Sequence, residues 1–97
     1  MIQSFKDQGT QDIFNGLNTK AARTVCPGAL WKIAIRKLDL LDSAELLSDL
    51  RVPPGNRLEQ LSGDRQGQLS IRINDRYRIC FIWTINGPDQ LTIVDYH

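Results

Sequence analysis

The chain has 97 residues, of which 41% are hydrophobic, and its formal net charge is +1. That length provides for one hydrophobic core and excludes a second, so we predict a single domain over residues 1–97. Two cysteines without paired spacing, no basic leader and no apolar run of about 18 residues exclude a disulfide scaffold and a membrane span, and predict a reduced, cytosolic protein.

The N-terminal half is predicted to be mainly helical. Residues 2–5 have the pattern of a short opening strand, and residues 7–16 that of a first helix, which the Asn15-Gly16 pair would end. Residues 18–22 are ambiguous. After Pro27-Gly28, apolar side chains recur every three or four residues and predict the main core helix. They are Leu30, Trp31, Ala34, Ile35, Leu38 and Leu41.

A second, shorter helix is predicted directly after the core helix. Asp42, followed three residues later by Glu45, fits a variant capping box, and the helix would end near Leu50. The run Pro53-Pro54-Gly55-Asn56 then forbids both a helix and a central strand.

Beyond residue 56 the hydrophobic period changes to two, which predicts strands over residues 69–74, 77–83 and 91–96 with a hairpin loop at residues 63–67. Helices packed on an antiparallel sheet make an α+β fold. Alternation places Ser70 and Arg72 on the polar face of the sheet, with Arg78 as a candidate neighbour whose register the sequence leaves open.

The positive charge is concentrated in residues 51–78. Residues 1–50 hold six lysines and arginines against six acids, whereas residues 51–78 hold six arginines, no lysine and three acids. Arginine suits bidentate phosphate contacts and stacking on bases, so this segment is the candidate surface for a nucleic-acid partner. A solubilising surface would show the same small excess.

The chain ends in Asp95-Tyr96-His97, a closely spaced carboxylate, phenol and imidazole. RNA cleavage by internal attack requires a group that accepts the ribose 2′-hydroxyl proton, a group that protonates the leaving 5′-oxygen, and cations for the phosphate. These side chains suit the first two requirements and nearby arginines the third; a polar terminus without function is the alternative. Cys26, Cys80 and His97 lack metal-ligand spacing, so we expect buried thiols and no cofactor.

Two segments resemble the HigB (plasmid maintenance killer) toxins of the RelE/ParE superfamily. They are residues 53–81, from Pro53-Pro54-Gly55-Asn56 to Cys80-Phe81, and the ending Val94-Asp95-Tyr96-His97. With the opening residues 2–5, the similarity spans nearly the whole chain. It implies a RelE-like fold, metal-independent cleavage of mRNA on the ribosome, and neutralisation by a helix-turn-helix, HigA-like antitoxin.

The resemblance also implies site residues. The catalytic set of the family maps onto Asp95, Tyr96, His97 and Arg78. Where some members have a histidine just before the Gly-Asp loop, this chain has Glu59, which can act as a base but cannot supply positive charge. We assign contacts with the RNA backbone to Arg57, Arg65, Arg72 and Arg76.

The sequence is compatible with two other functions. A ParE-like toxin of the same fold would poison DNA gyrase by binding, and a non-catalytic protein would interact with the ribosome or its assembly. The acid–base set at the C-terminus favours the nuclease over the gyrase binder, whereas Glu59 is the feature that favours a non-catalytic role.

Overall fold

The computed structural model describes residues 1–95 and has the α+β arrangement that the sequence predicts. Its main elements are α1 (Gln8–Phe14), α2 (Lys20–Val25), α3 (Trp31–Ser43), β1 (Glu59–Gln60), β2 (Leu69–Arg72), β3 (Tyr77–Thr84) and β4 (Gly87–Asp95). The strands form one antiparallel sheet in the order β1-β2-β3-β4. Within residues 1–95, every helix is too short or too polar to cross a membrane.

Helix α1 begins and ends where the sequence predicts. The Asp7 carboxylate accepts a hydrogen bond from the Thr10 backbone N–H at 2.8 Å, and Gly16 adopts the positive φ, 74°, that follows a helix end. Asp7 also accepts from the Thr92 hydroxyl at 2.7 Å, while the Thr10 hydroxyl accepts from the Ile93 N–H at 3.0 Å. These contacts attach the start of α1 to the outer edge of β4.

The opening strand predicted for residues 2–5 is reduced to a single parallel bridge between Phe5 and Leu91. Backbone hydrogen bonds of 2.8 Å from Gln3 to Pro88 and from Lys6 to Leu91 keep this segment beside β4. The chain enters α1 directly after this bridge, so the parallel pairing does not extend into a strand ladder.

The ambiguous stretch at residues 18–22 contains the start of α2. The Thr19 hydroxyl caps this helix by accepting from the Ala22 N–H at 3.0 Å. Helix α2 packs on α1 at Gly9, where a Cβ atom would lie 2.4 Å from the backbone oxygen of Ala21. The two helices can approach this closely only because position 9 has no side chain.

We expect Gly9→Ala to lower the free energy of unfolding by about 1–3 kcal/mol, the usual cost of overpacking, because the Ala21 oxygen is backbone and cannot rotate away. Urea denaturation measures the change. Gly28→Ala is the matched control, since nothing lies within 4 Å of a Cβ at that position. A Gly9→Ala protein as stable as the control would contradict the close helix packing.

Helix α3 is the core helix that the apolar spacing predicts. Its inner face buries Ala34, Leu38 and Leu41 completely. At its start, the Trp31 indole N–H donates to the Cys26 carbonyl at 2.9 Å, which ties the helix to the loop before it. Trp31 is therefore a packing residue.

The capping box predicted at Asp42 and Glu45 is wrong, whereas the short helix predicted to end near Leu50 is present as a 3-10 turn. Helix α3 continues through Asp42, whose carboxylate accepts from the Ile2 backbone N–H at 2.9 Å instead. The backbone N–H groups before the turn are satisfied by Asp49, whose carboxylate accepts from Glu45 and Leu46 at 3.0 Å each. The segment that follows forms a 3-10 turn, Leu47–Arg51.

The alternation predicted for the strands is confirmed. Ile71 pairs with Ile79, and Ile79 pairs with Ile93, so that these buried side chains line the face of the sheet that joins the helices in the core. The opposite face is the polar one.

Both cysteines are free and buried, which confirms the expectation of buried thiols. Burial raises the pKa of Cys26 to about 11 and also raises the pKa of Cys80. At neutral pH both side chains are protonated thiols, which suits packing and not nucleophilic chemistry.

Candidate active site

Arg78 is the second residue of β3 and lies on the polar face, and only 10% of its side chain is exposed. The register places it opposite Arg72 of β2 and Val94 of β4. Its Nε donates to the Ser70 Oγ at 2.7 Å, and its Nη2 donates to the backbone carbonyl of Arg57 at 2.6 Å. The guanidinium is therefore held in a fixed orientation from two sides.

Glu59 shares this face with Arg78. Strand β1 pairs with β2 so that Glu59 lies opposite Ser70, and residues opposite each other project to the same side of a sheet. The Glu59 Oε2 lies 3.9 Å from the Arg78 Nη2, and 54% of the Glu59 side chain is exposed. The carboxylate is therefore next to a fixed cation and still accessible to a ligand.

The loop before β1 supplies a backbone group to the site. Arg57 adopts a left-handed conformation with φ 46°, which is uncommon for a residue with a side chain. The preceding Asn56 is buried; its Nδ2 donates to the carbonyls of Leu50 and Val52 at 3.2 Å each, and its Oδ1 accepts from Lys37. These bonds fix the loop that presents the Arg57 carbonyl.

Asp95 lies on the other face of the sheet. It is opposite Tyr77 in the register, whereas Arg78 is opposite Val94, and successive residues of a strand project to opposite faces. The Nε and Nη2 of Arg76 donate to Asp95 Oδ1 and Oδ2 at 2.8 and 2.7 Å. This bidentate contact raises the pKa of Arg76. The structure therefore brings Asp95 together with Arg76 and separates it from Arg78.

Tyr96 and His97, the other two C-terminal residues assigned to catalysis, lie outside the residues that the structure describes. Their assignment stays a prediction.

The arginines assigned to RNA contacts differ in their surroundings. The Arg57 side chain is exposed, whereas Arg65 and Arg72 are half-buried. Arg72 forms an ion pair with the exposed Asp75, and Arg76 is bound to Asp95. Arg57 and Arg76 are therefore the two exposed arginines of the four, and Arg76 is the one bound to Asp95.

Two groups that hold Arg78 were not assigned to the site from the sequence, the Ser70 hydroxyl and the Arg57 carbonyl. Alternation did place Ser70 on the polar face, so the pairing register is the signal that would have found it. No comparable sequence pattern identifies the Arg57 carbonyl, because it is a backbone group presented by a residue in the left-handed conformation. In the described range, 1–95, no group of three or more His, Cys, Asp or Glu side chains is arranged to hold a metal ion.

Residues 3–97 match a family described as the RelE-like toxin of the type II toxin-antitoxin system HigB. The sequence is also 39% identical to Toxin HigB-1 of Vibrio cholerae serotype O1 over 97 residues, which is 100% of this chain and 98% of that protein. The chain therefore belongs to the HigB family of type II toxins, and this membership implies an antitoxin partner.

A further relative covers only part of the chain. An uncharacterized protein of Haemophilus influenzae is 38% identical over 65 residues, which is 67% of this chain and 64% of that protein.

Proposed function

We propose that this HigB-family toxin is a metal-independent endoribonuclease that cuts mRNA on the ribosome. The observation that carries the proposal is the arrangement around Arg78. A nearly buried guanidinium is fixed by Ser70 and by the Arg57 carbonyl, and an accessible carboxylate, Glu59, lies 3.9 Å from it on the same face. A fixed cation beside a base is what attack on a phosphate requires.

The reaction we propose is internal attack by the ribose 2′-oxygen on the adjacent phosphorus. The bond from the 2′-oxygen to phosphorus forms, the bond from phosphorus to the 5′-oxygen breaks, and the 2′-hydroxyl proton passes to the Glu59 carboxylate. The 5′-oxygen takes a proton from one of two C-terminal candidates, the Tyr96 hydroxyl or the His97 imidazolium. Arg78 donates to the phosphate oxygens, whose negative charge increases in the transition state.

Asp95 has a different role in this proposal. Because its carboxylate is bound by Arg76 on the face opposite Arg78, it does not exchange the proton. The Arg76–Asp95 pair instead holds the end of β4, to which Tyr96 and His97 are joined. Asp95 is therefore a positioning residue, and Arg76 serves this pair in preference to the RNA.

The partners follow from the same site. We propose that Arg57, Arg65 and Arg72 contact the mRNA backbone in the decoding region of a cytoplasmic ribosome. We also propose that the antitoxin is a helix-turn-helix protein of the HigA type. Exposed or half-buried guanidinium groups around a nearly buried one suit a phosphate chain that crosses the polar face.

The experiment that tests the function is cleavage of a defined mRNA by the purified toxin, with and without programmed ribosomes. The full chain is compared with a chain that lacks Tyr96 and His97. We expect site-specific cuts that require both the ribosome and these two residues. A full-length toxin that arrests growth yet cuts no mRNA would contradict the nuclease proposal. Binding to DNA gyrase, and then to assembling ribosomal particles, would be tested next.

A further inference from the structure

One flank of α3, beside its buried face, carries a second stripe of side chains, of which Lys37 and Leu40 are half-buried. Its members recur at three- and four-residue spacing, with an apolar residue at each end and two cations between them: Ile33, Arg36, Lys37 and Leu40. Together with Arg72 and Ile73 at the end of β2, they line a groove of about 530 Å³, here called the α3 groove.

The α3 groove is strongly cationic. Arg36, Lys37 and Arg72 all line it, and none of its lining residues is acidic. Burial, followed by the charges of Arg36 and Arg72, lowers the pKa of Lys37, so its ammonium is repelled by both guanidinium groups. Asp75 pairs with Arg72 but is itself almost fully exposed, and such a pair offsets little of this repulsion. An anionic ligand would relieve it.

We propose that the α3 groove binds an acidic peptide segment of the antitoxin partner. Apolar side chains of that segment would contact Ile33 and Leu40, and its carboxylates would pair with Arg36 and Arg72. This inference rests on membership of a toxin-antitoxin system and is independent of the nuclease chemistry.

The shape of the stripe favours a peptide over a nucleic acid. Ile33 and Leu40 are seven residues apart, which is about 10 Å along a helix and matches the spacing of apolar anchors on a peptide segment. Single-stranded nucleic acids bind cations accompanied by aromatic side chains on which bases stack. The lining of the α3 groove has no aromatic residue.

The position of Arg72 connects the α3 groove to the candidate active site. Arg72 lies directly opposite Arg78 in the register of β2 and β3. An acidic segment that reaches Arg72 would therefore lie beside the position where we place the phosphate. Bound antitoxin would exclude the RNA by occupying Arg72 and by placing negative charge next to Arg78.

The test is the affinity of purified toxin for the antitoxin encoded beside its gene, compared between Arg36→Glu and Lys32→Glu. Both positions are exposed residues of α3 and both changes reverse one charge, but Lys32 does not line the groove. We expect Arg36→Glu to weaken binding about tenfold or more, because it sets like charges against each other, and Lys32→Glu to change it less than about twofold.

A readout of RNA cutting separates the possible outcomes. Because Arg36 is outside the catalytic face, Arg36→Glu should cut mRNA at the wild-type rate and resist neutralisation by the antitoxin. Unchanged antitoxin affinity in Arg36→Glu overturns the proposal. If the same variant also loses ribosome or mRNA binding, the α3 groove is a nucleic-acid surface. If the wild-type toxin cuts no mRNA, the nuclease proposal fails while the affinity comparison still decides this one.

Discussion

Arg78→Lys should lower the rate of ribosome-dependent mRNA cleavage by about 10²–10³-fold, the usual effect of removing one preorganised donor from a transition state. A guanidinium has five N–H donors in one plane, so it can donate to Ser70 and to the Arg57 carbonyl and still donate to a phosphate. An ammonium keeps the charge but has three donors and no fixed plane. Substrate binding should change much less than the rate of the chemical step.

Single-turnover cleavage on programmed ribosomes measures this effect. Arg51→Lys is the matched control, because Arg51 is an exposed arginine of the same basic segment. Since Arg78 is nearly buried, urea denaturation should accompany the kinetics to show that the variant is folded.

Ser70→Ala is a second test of Arg78, because it keeps the guanidinium and removes the partner of its Nε. We expect the cleavage rate to fall about tenfold because the guanidinium is less well positioned. Wild-type rates in both variants would remove Arg78 from the mechanism.

Exchanging the charges of the Arg76–Asp95 pair should restore cleavage that either single change removes. We expect Arg76→Asp and Asp95→Arg each to lower the cleavage rate by about 10²-fold, because the end of β4 loses its bidentate contact and the residues joined to it are misplaced. The double variant rebuilds an ion pair in the opposite sense. Its rate should return to within about tenfold of the wild type.

This charge exchange distinguishes a positioning residue from a catalytic one. If Asp95 itself accepts or donates the proton, the double variant will remain as inactive as Asp95→Arg. The pair is partly exposed on both sides, so its loss should change the stability of the fold little. Arg23→Asp, an exposed charge change on α2, controls for the change in net charge. A melting temperature close to that of the control would show that the fold is intact.

Local patterns in the sequence were sufficient for the elements that depend on local chemistry. The Asn15-Gly16 pair ends α1 because a left-handed residue is favourable there, and the stripe of Ala34, Leu38 and Leu41 predicts α3 because one face must be buried. The predicted cap at Asp42 failed for the opposite reason. Its carboxylate bonds to Ile2, forty positions away in the chain, and no local pattern reports such a contact.

The candidate site, too, was predicted from the sequence only in part. The resemblance in the sequence named Arg78, Glu59 and Asp95 together, and charge counting identified the basic segment. Neither observation predicts that Glu59, which lies opposite Ser70, is next to Arg78, or that Asp95 pairs with Arg76. Likewise, the cations of α3 belong to the half of the chain with balanced charge, and only folding places them beside Arg72.

The sequence by itself determined the α+β class, the core helix, the alternation of the strands and the resemblance to the HigB family. Each of these depends on side-chain type and on spacing over a few residues. Only the tertiary structure decided which polar side chains of neighbouring strands lie opposite each other, because a shift of one residue in strand register moves every side chain of that strand to the other side of the sheet. The pairing of β3 with β4 places Val94 and not Asp95 beside Arg78, and this register separates the positioning pair from the face where we propose that RNA is cut.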